Sequence, residues 1–134
     1  MPVFLSRRPE EPVDTELQLF YQRLLRALHF PIFHRGYWQF CESAGWPDNQ
    51  TYMKLLAWTW CDGDSRLLIV VNYSDQPAAG RIRIQGNDLR DHNWRLNEIL
   101  YEVTYERHGN ELISEGLYVA LGPWKAHLFR FHMV

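Results

Sequence analysis

Leu17, Phe20, Tyr21, Leu24, Leu25 and Leu28 recur at the spacing that lines one face of a helix, and the period predicts a single amphipathic helix over 14–30. Asp14 or Thr15 can cap its start, with Gln18 three residues after Thr15 completing a capping box. His29-Phe30-Pro31 ends it, because a proline disfavours helical geometry in the residue before it. Residues 1–13 carry no such period; Arg7-Arg8-Pro9-Glu10-Glu11-Pro12 is charged and rich in proline, an extended lead-in rather than a folded element.

From residue 31 to residue 134 the pattern changes to short runs rich in Val, Ile, Tyr, Phe and Trp. Seven of them, Tyr37 to Ser43, Leu55 to Cys61, Arg66 to Tyr73, Arg81 to Gln85, Trp94 to Leu100, Gly116 to Leu121 and Lys125 to His132, read as strands. A weaker pair, Val103 to Arg107 and Glu111 to Ile113, flanks His108-Gly109-Asn110 as a hairpin would. Asp62-Gly63-Asp64-Ser65 is the turn between two stronger strands. The fold class expected is mainly β, an antiparallel Greek-key sandwich of about eight strands preceded by one helix. Arg81-Ile82-Arg83-Ile84-Gln85 alternates and should have one wet face. Leu67-Leu68-Ile69-Val70-Val71 does not alternate, so it asks for cover on both faces, as does the Leu55 to Trp60 run.

Composition narrows the classes. The chain has 134 residues, 46% hydrophobic and 15% aromatic, which excludes disorder. An αβ barrel needs about 250 residues and does not fit. A net charge of −2, with basic residues dispersed, argues against a nucleic-acid partner. No run approaches the ~18 apolar residues of a membrane span, and Met1 to Arg8 lacks the apolar stretch of a signal peptide. A cytoplasmic chain with no membrane partner is therefore expected, its Cys41 and Cys61 being reduced thiols without metal-type spacing.

Catalytic motifs are close to absent. The sequence contains no GxSxG elbow, GxxxxGK loop, GxGxxG, HExxH or HxH. Asp62-Gly63-Asp64 has a misplaced glycine and no twelfth-position Glu for a calcium loop. Glu98 and Glu102 lie on or beside strands and Glu42 alternates with Trp38 and Phe40, so these three are the carboxylates with a hint of burial, and none has a partner that marks it as a catalytic acid. No catalytic residue, metal or cofactor is expected. The tryptophans are the better lead, because an exposed indole can stack on the apolar face of a sugar ring while neighbouring polar groups bond its hydroxyls. Trp46 stands in a loop with Asp48, Asn49 and Gln50 as hydroxyl partners, and Trp124 follows Gly122-Pro123 in a turn. Trp46, Asp48, Asn49 and Trp124 are the candidate carbohydrate-binding residues.

Three strings carry a family resemblance. Phe20-Tyr21-Gln22-Arg23-Leu24-Leu25, then Arg66 through Val71-Asn72-Tyr73-Ser74-Asp75-Gln76-Pro77, then Gly116 through Leu121-Gly122-Pro123-Trp124 resemble, in that order, the C-terminal part of alpha-amylase superfamily glycosidases. The first is similar to the last helix of the catalytic barrel, the second to the strand whose Asn72-Tyr73-Ser74 text marks the C-terminal sandwich, and the third to the strand and turn before the last strand. The resemblance implies a non-catalytic domain of an enzyme of alpha-glucan metabolism, since the family's catalytic carboxylates precede this region and have no counterpart here. It implies as partner the catalytic barrel of a parent or separately encoded glycosidase, with an alpha-glucan oligosaccharide as the ligand of the loop tryptophans. An uncovered helix stripe would also promote self-association.

Overall fold

A computed structural model describes residues 12–134. The expected lead-in lies, up to residue 11, outside the described residues. Thr15–Leu28 form α1, with Asp14 as the cap: its side chain accepts from the Leu17 amide at 3.1 Å. Pro31 then opens a second short helix, α2, over Ile32–Arg35.

Nine strands follow: β1 (Tyr37–Cys41), β2 (Ser43–Ala44), β3 (Leu55–Asp62), β4 (Ser65–Asn72), β5 (Ala78–Ile82), β6 (Asn93–Glu98), β7 (Val103–His108), β8 (Leu117–Leu121) and β9 (Ala126–Met133). They form two antiparallel sheets, one of six strands in the order β1-β3-β4-β9-β6-β7 and one of three in the order β2-β5-β8. The β3–β4 hairpin closes at Asp62↔Ser65, with Gly63 at φ +57°, the left-handed geometry a tight hairpin demands. Ile82 and Ile84 are buried while Arg83 and Gln85 are exposed, so that segment has the expected wet face, although pairing ends at Ile82.

The expected strand at Glu111 to Ile113 is a helix instead, α3, over Gly109–Ser114. His108 Nδ1 accepts from the Asn110 amide at 3.2 Å, capping the helix where a hairpin turn was expected. Leu112 is buried in the core between the sheets, and Gly109 lies so close to Leu89 that a Cβ would stand 1.5 Å from its carbonyl oxygen.

The register assigns faces. Leu68 and Val70 of β4 point into the core between the sheets, with Ala57, Leu96, Phe129 and Phe131. Leu67 and Ile69 point outward, and α1 and α2 lie over them, packing with Leu128, Leu100 and Ile99. Both faces of β4 are thus covered, as its unbroken apolar run requires. Cys41 sits opposite Ala57 and Cys61 opposite Tyr37. Ala57 and Cys61 are four residues apart on β3, or about 13 Å, so Cys41, beside Ala57, stands beyond the ~7 Å Cα separation from Cys61 that a disulfide can bridge.

Candidate functional site

Among the described residues, no three His, Cys, Asp or Glu side chains converge as a metal site would require. Among the described residues, the one deeply buried carboxylate is Glu98, 2% exposed. It accepts from the amides of Leu100 at 3.2 Å, Leu128 at 3.0 Å and Tyr101, with His127 Nδ1 at 3.5 Å. Its lone pairs face three fixed donors, so the side chain ties the end of β6 to β9 and has little capacity left for a substrate. Glu42 and Glu102 are exposed.

The loop before β3 holds Trp46 against Tyr118 of β8, the rings stacked at 6.1 Å between centroids with 28° between planes. Asp48 is exposed beside it. Asn49 is committed elsewhere: Nδ2 donates to the Ala79 carbonyl at 2.7 Å, and Oδ1 accepts from the Thr51 amide and hydroxyl. Asn49 therefore shapes the loop that presents Trp46. That role could not be read from its neighbours in sequence, because Ala79 is 30 residues away.

Trp124 is 62% exposed and has φ +59°, a left-handed conformation uncommon for a bulky residue. Its amide donates to the Ser74 carbonyl at 3.1 Å, and its ring meets the edge of Tyr73 at 5.6 Å. The indole borders a cleft of about 510 Å³ between α1 and the β8–β9 turn, with Leu17, Phe20, Tyr21, Tyr101 and Lys125 around it. Trp46 and Trp124 share no ring contact and line no common cleft, so the four candidate residues divide between two places.

A third feature is broader. The apolar stripe of α1 is split: Phe20, Leu24 and Ala27 pack on the sheet, whereas Leu17, Tyr21, Leu25 and Leu28 remain 46–58% exposed. On the outer face of the six-stranded sheet, Trp38, Phe40 and Leu56 of β1 and β3 are exposed as well. Residues of this kind usually lie against something. No described helix is long and apolar enough to cross a membrane.

No protein-family model and no curated protein sequence matches the chain. Known structures do match it. Similar folds occur in the alpha-amylase from Geobacillus thermoleovorans complexed with acarbose, at TM-score 0.54 and 14% identity over 77% of this chain. The trehalulose synthase MutB from Pseudomonas mesoacidophila MX-45 aligns at TM-score 0.52 and 19% identity over 84%. The chain thus shares its mainly β fold with part of alpha-amylase-family glycosidase structures. It spans only about a fifth of their length, 20% and 17% respectively.

Proposed function

We propose that the chain is the non-catalytic C-terminal domain of an alpha-amylase-like glycosidase of alpha-glucan metabolism, packing against and stabilising a catalytic barrel that this chain lacks. In this reading residues 14–30 are the last helix of that barrel, residues 31–134 the sandwich, and residues 1–13 the stretch leading in. The observation that carries it is the split stripe of α1. One flank of the helix is bound to the sandwich while Leu17, Tyr21, Leu25 and Leu28 face away from it, as they would in a helix packed between two bodies. The free thiols Cys41 and Cys61 suit a cytoplasmic location.

Two measurements test the reading. The purified chain should not turn over soluble starch or short maltosides; clear turnover refutes the non-catalytic assignment. Co-expressed with a barrel encoded upstream or elsewhere in the source genome, it should co-purify, and Leu25→Glu with Phe40→Glu should abolish the association. In the absence of a barrel the same surface drives self-association, which those two substitutions should suppress in size-exclusion profiles.

A second reading follows from Trp124, held in an uncommon backbone conformation beside an aromatic-lined cleft. As a carbohydrate-binding module the chain would stack alpha-glucan rings on Trp124 or on Trp46, with Asp48 bonding hydroxyls. Titration with maltooligosaccharides should then change tryptophan fluorescence, and Trp124→Ala or Trp46→Ala should remove that response. A flat titration up to millimolar sugar eliminates the module.

A further inference from the structure

We propose that Cys61 is a site of reversible oxidation by hydroperoxides, and that Arg66 holds the sulfenic acid formed there. The two residues stand opposite each other in the β3–β4 register, Cys61↔Arg66. Arg66 is on the face of the sheet turned to the core, its guanidinium 5.9 Å from the centre of the Phe131 ring. Residues paired across antiparallel strands point to the same face, so the Cys61 sulfur lies on that face too. It is half-buried, so a small solute can reach it.

The Arg66 side chain is only 8% exposed. Nη2 donates to Asp88 at 2.9 Å, whereas Nε and Nη1 are buried with no hydrogen-bond partner among the described residues. Its pKa lies above the ordinary arginine value: burial works against the charge, but Asp88 and then Cys61 outweigh it. Cys61 is thus a neighbour of the guanidinium, yet a thiol sulfur is a weak acceptor and leaves both nitrogens idle. Buried donors of this kind cost free energy until they find an oxygen. Asp88 already balances the charge of Arg66, so what is spare is hydrogen-bonding capacity, and a neutral oxygen suffices.

Oxidation places such an oxygen on the sulfur. The Cys61 thiol loses its proton, the sulfur attacks one oxygen of hydrogen peroxide, an S–O bond forms and the O–O bond breaks. Sulfur gives up two electrons, and the departing hydroxide takes up a proton, so thiol and peroxide become sulfenic acid and water. A sulfenic acid ordinarily condenses with a second thiol, but Cys41 is out of reach of Cys61. Cys41 itself is buried, and burial pushes its thiol up to about 11, which keeps the reactive thiolate scarce. The chain therefore carries one oxidisable thiol and one inert one.

The full chain is exposed to hydrogen peroxide with and without dimedone, which traps sulfenic acids, and the adduct is located by peptide mass. Cys61 should be labelled at least about tenfold faster than Cys41, and without dimedone a reducing thiol should restore the parent mass. In ¹H–¹⁵N spectra the Arg66 Nε–H resonance should shift on oxidation and exchange more slowly with water, as an idle donor that gains an acceptor does. Arg66→Lys, which removes that N–H, should shorten the life of the sulfenic acid about tenfold, the equivalent of one hydrogen bond, by letting it pass on to sulfinic acid. The thermal midpoint reports whether this variant is folded; if it is not, the parent's Nε–H resonance decides alone. The proposal is overturned if Cys41 is labelled as fast as Cys61, if neither is labelled, if the oxidised mass survives the reducing thiol, if the Arg66 Nε–H resonance does not move, or if folded Arg66→Lys keeps the parent's lifetime.

Discussion

Asn72 is the residue whose removal should tell most about how the two sheets are joined. It is fully buried at the end of β4. Its two Nδ2 protons serve three carbonyls, those of Gln76 at 2.7 Å, Leu121 at 3.1 Å and Gly122 at 3.0 Å, while Oδ1 accepts from Ser74 Oγ at 2.7 Å. One side chain therefore pins the β4–β5 crossing of the six-stranded sheet to the end of β8 in the three-stranded one. Asn72→Ala leaves the buried Leu121 carbonyl without this donor, at about 1–3 kcal/mol, and removes the three bonds to Gln76, Gly122 and Ser74 nearer the surface at about 0.5–1.5 kcal/mol each, toward the lower end because two protons are shared among three carbonyls. The expected loss is about 3 kcal/mol, a large share of the ~5–15 kcal/mol that holds a domain together.

The diagnostic variant is Asn72→Asp, because it keeps the volume and removes only the donors. A carboxylate oxygen would face three carbonyl oxygens in a buried setting, so this substitution should cost at least as much as alanine. Urea unfolding followed by tryptophan fluorescence at neutral pH should show both midpoints lowered with an unchanged slope. The thermal midpoint of Asn72→Ala should fall by roughly 10 °C. Ser74→Ala, which removes the hydroxyl's neutral bonds to Asn72 and Gln76 near the surface, should cost about 1–2 kcal/mol. If Asn72→Asp lies within about 1 kcal/mol of the parent, the hydrogen-bond account of this joint is wrong.

Other consequences are more local. Gly109→Ala should prevent native folding or lower the urea midpoint drastically, because its Cβ would overlap the Leu89 carbonyl oxygen at 1.5 Å; a midpoint like that of the parent refutes the close approach. Burial pushes the Cys41 thiol up to about 11 from an ordinary 9.0. The unfolded chain therefore releases this proton first, and stability present below about pH 9 should be lost as pH rises through 11, by up to about 2–3 kcal/mol. Cys41→Ala should flatten that part of the urea midpoint profile between pH 8 and 11, and identical profiles count against it. Glu98→Ala should cost about 3 kcal/mol in urea unfolding, since it strands three backbone amides, whereas Glu102→Ala at an exposed position should stay within about 0.5 kcal/mol.

The elements that were legible in the sequence are those whose cause is local. The α1 period, the Gly63 turn and the unbroken β4 run each follow from residues a few positions apart, and the structure has them where the pattern puts them. Glu111 to Ile113 misled because its apolar residues fit a strand as well as one helical turn. The arbiters were contacts to Leu89 and the cap from His108, the first of them remote in sequence. The site residues show the same division. Trp46 is recognisable as a loop aromatic, but its stacking on Tyr118 depends on a strand 72 positions later. Asn49 and Glu98 take their roles in part from partners 30 residues away.

The aromatic side chains of this chain occupy three kinds of place. Phe129, Phe131 and Trp94 fill the interior, and Trp46 and Trp124 stand on loops. Tyr21, Trp38 and Phe40 belong to neither group, since they line regular elements yet face outward. Leu17, Leu25 and Leu28 of α1 and Leu56 of β3 are exposed in the same way, and outward apolar side chains on regular elements are of the kind that mark interaction surfaces. A helix needs only one apolar flank to bind its own sheet. The second flank on α1 is without cover among the described residues, and in the reading proposed above it is the partner surface that removes it from water.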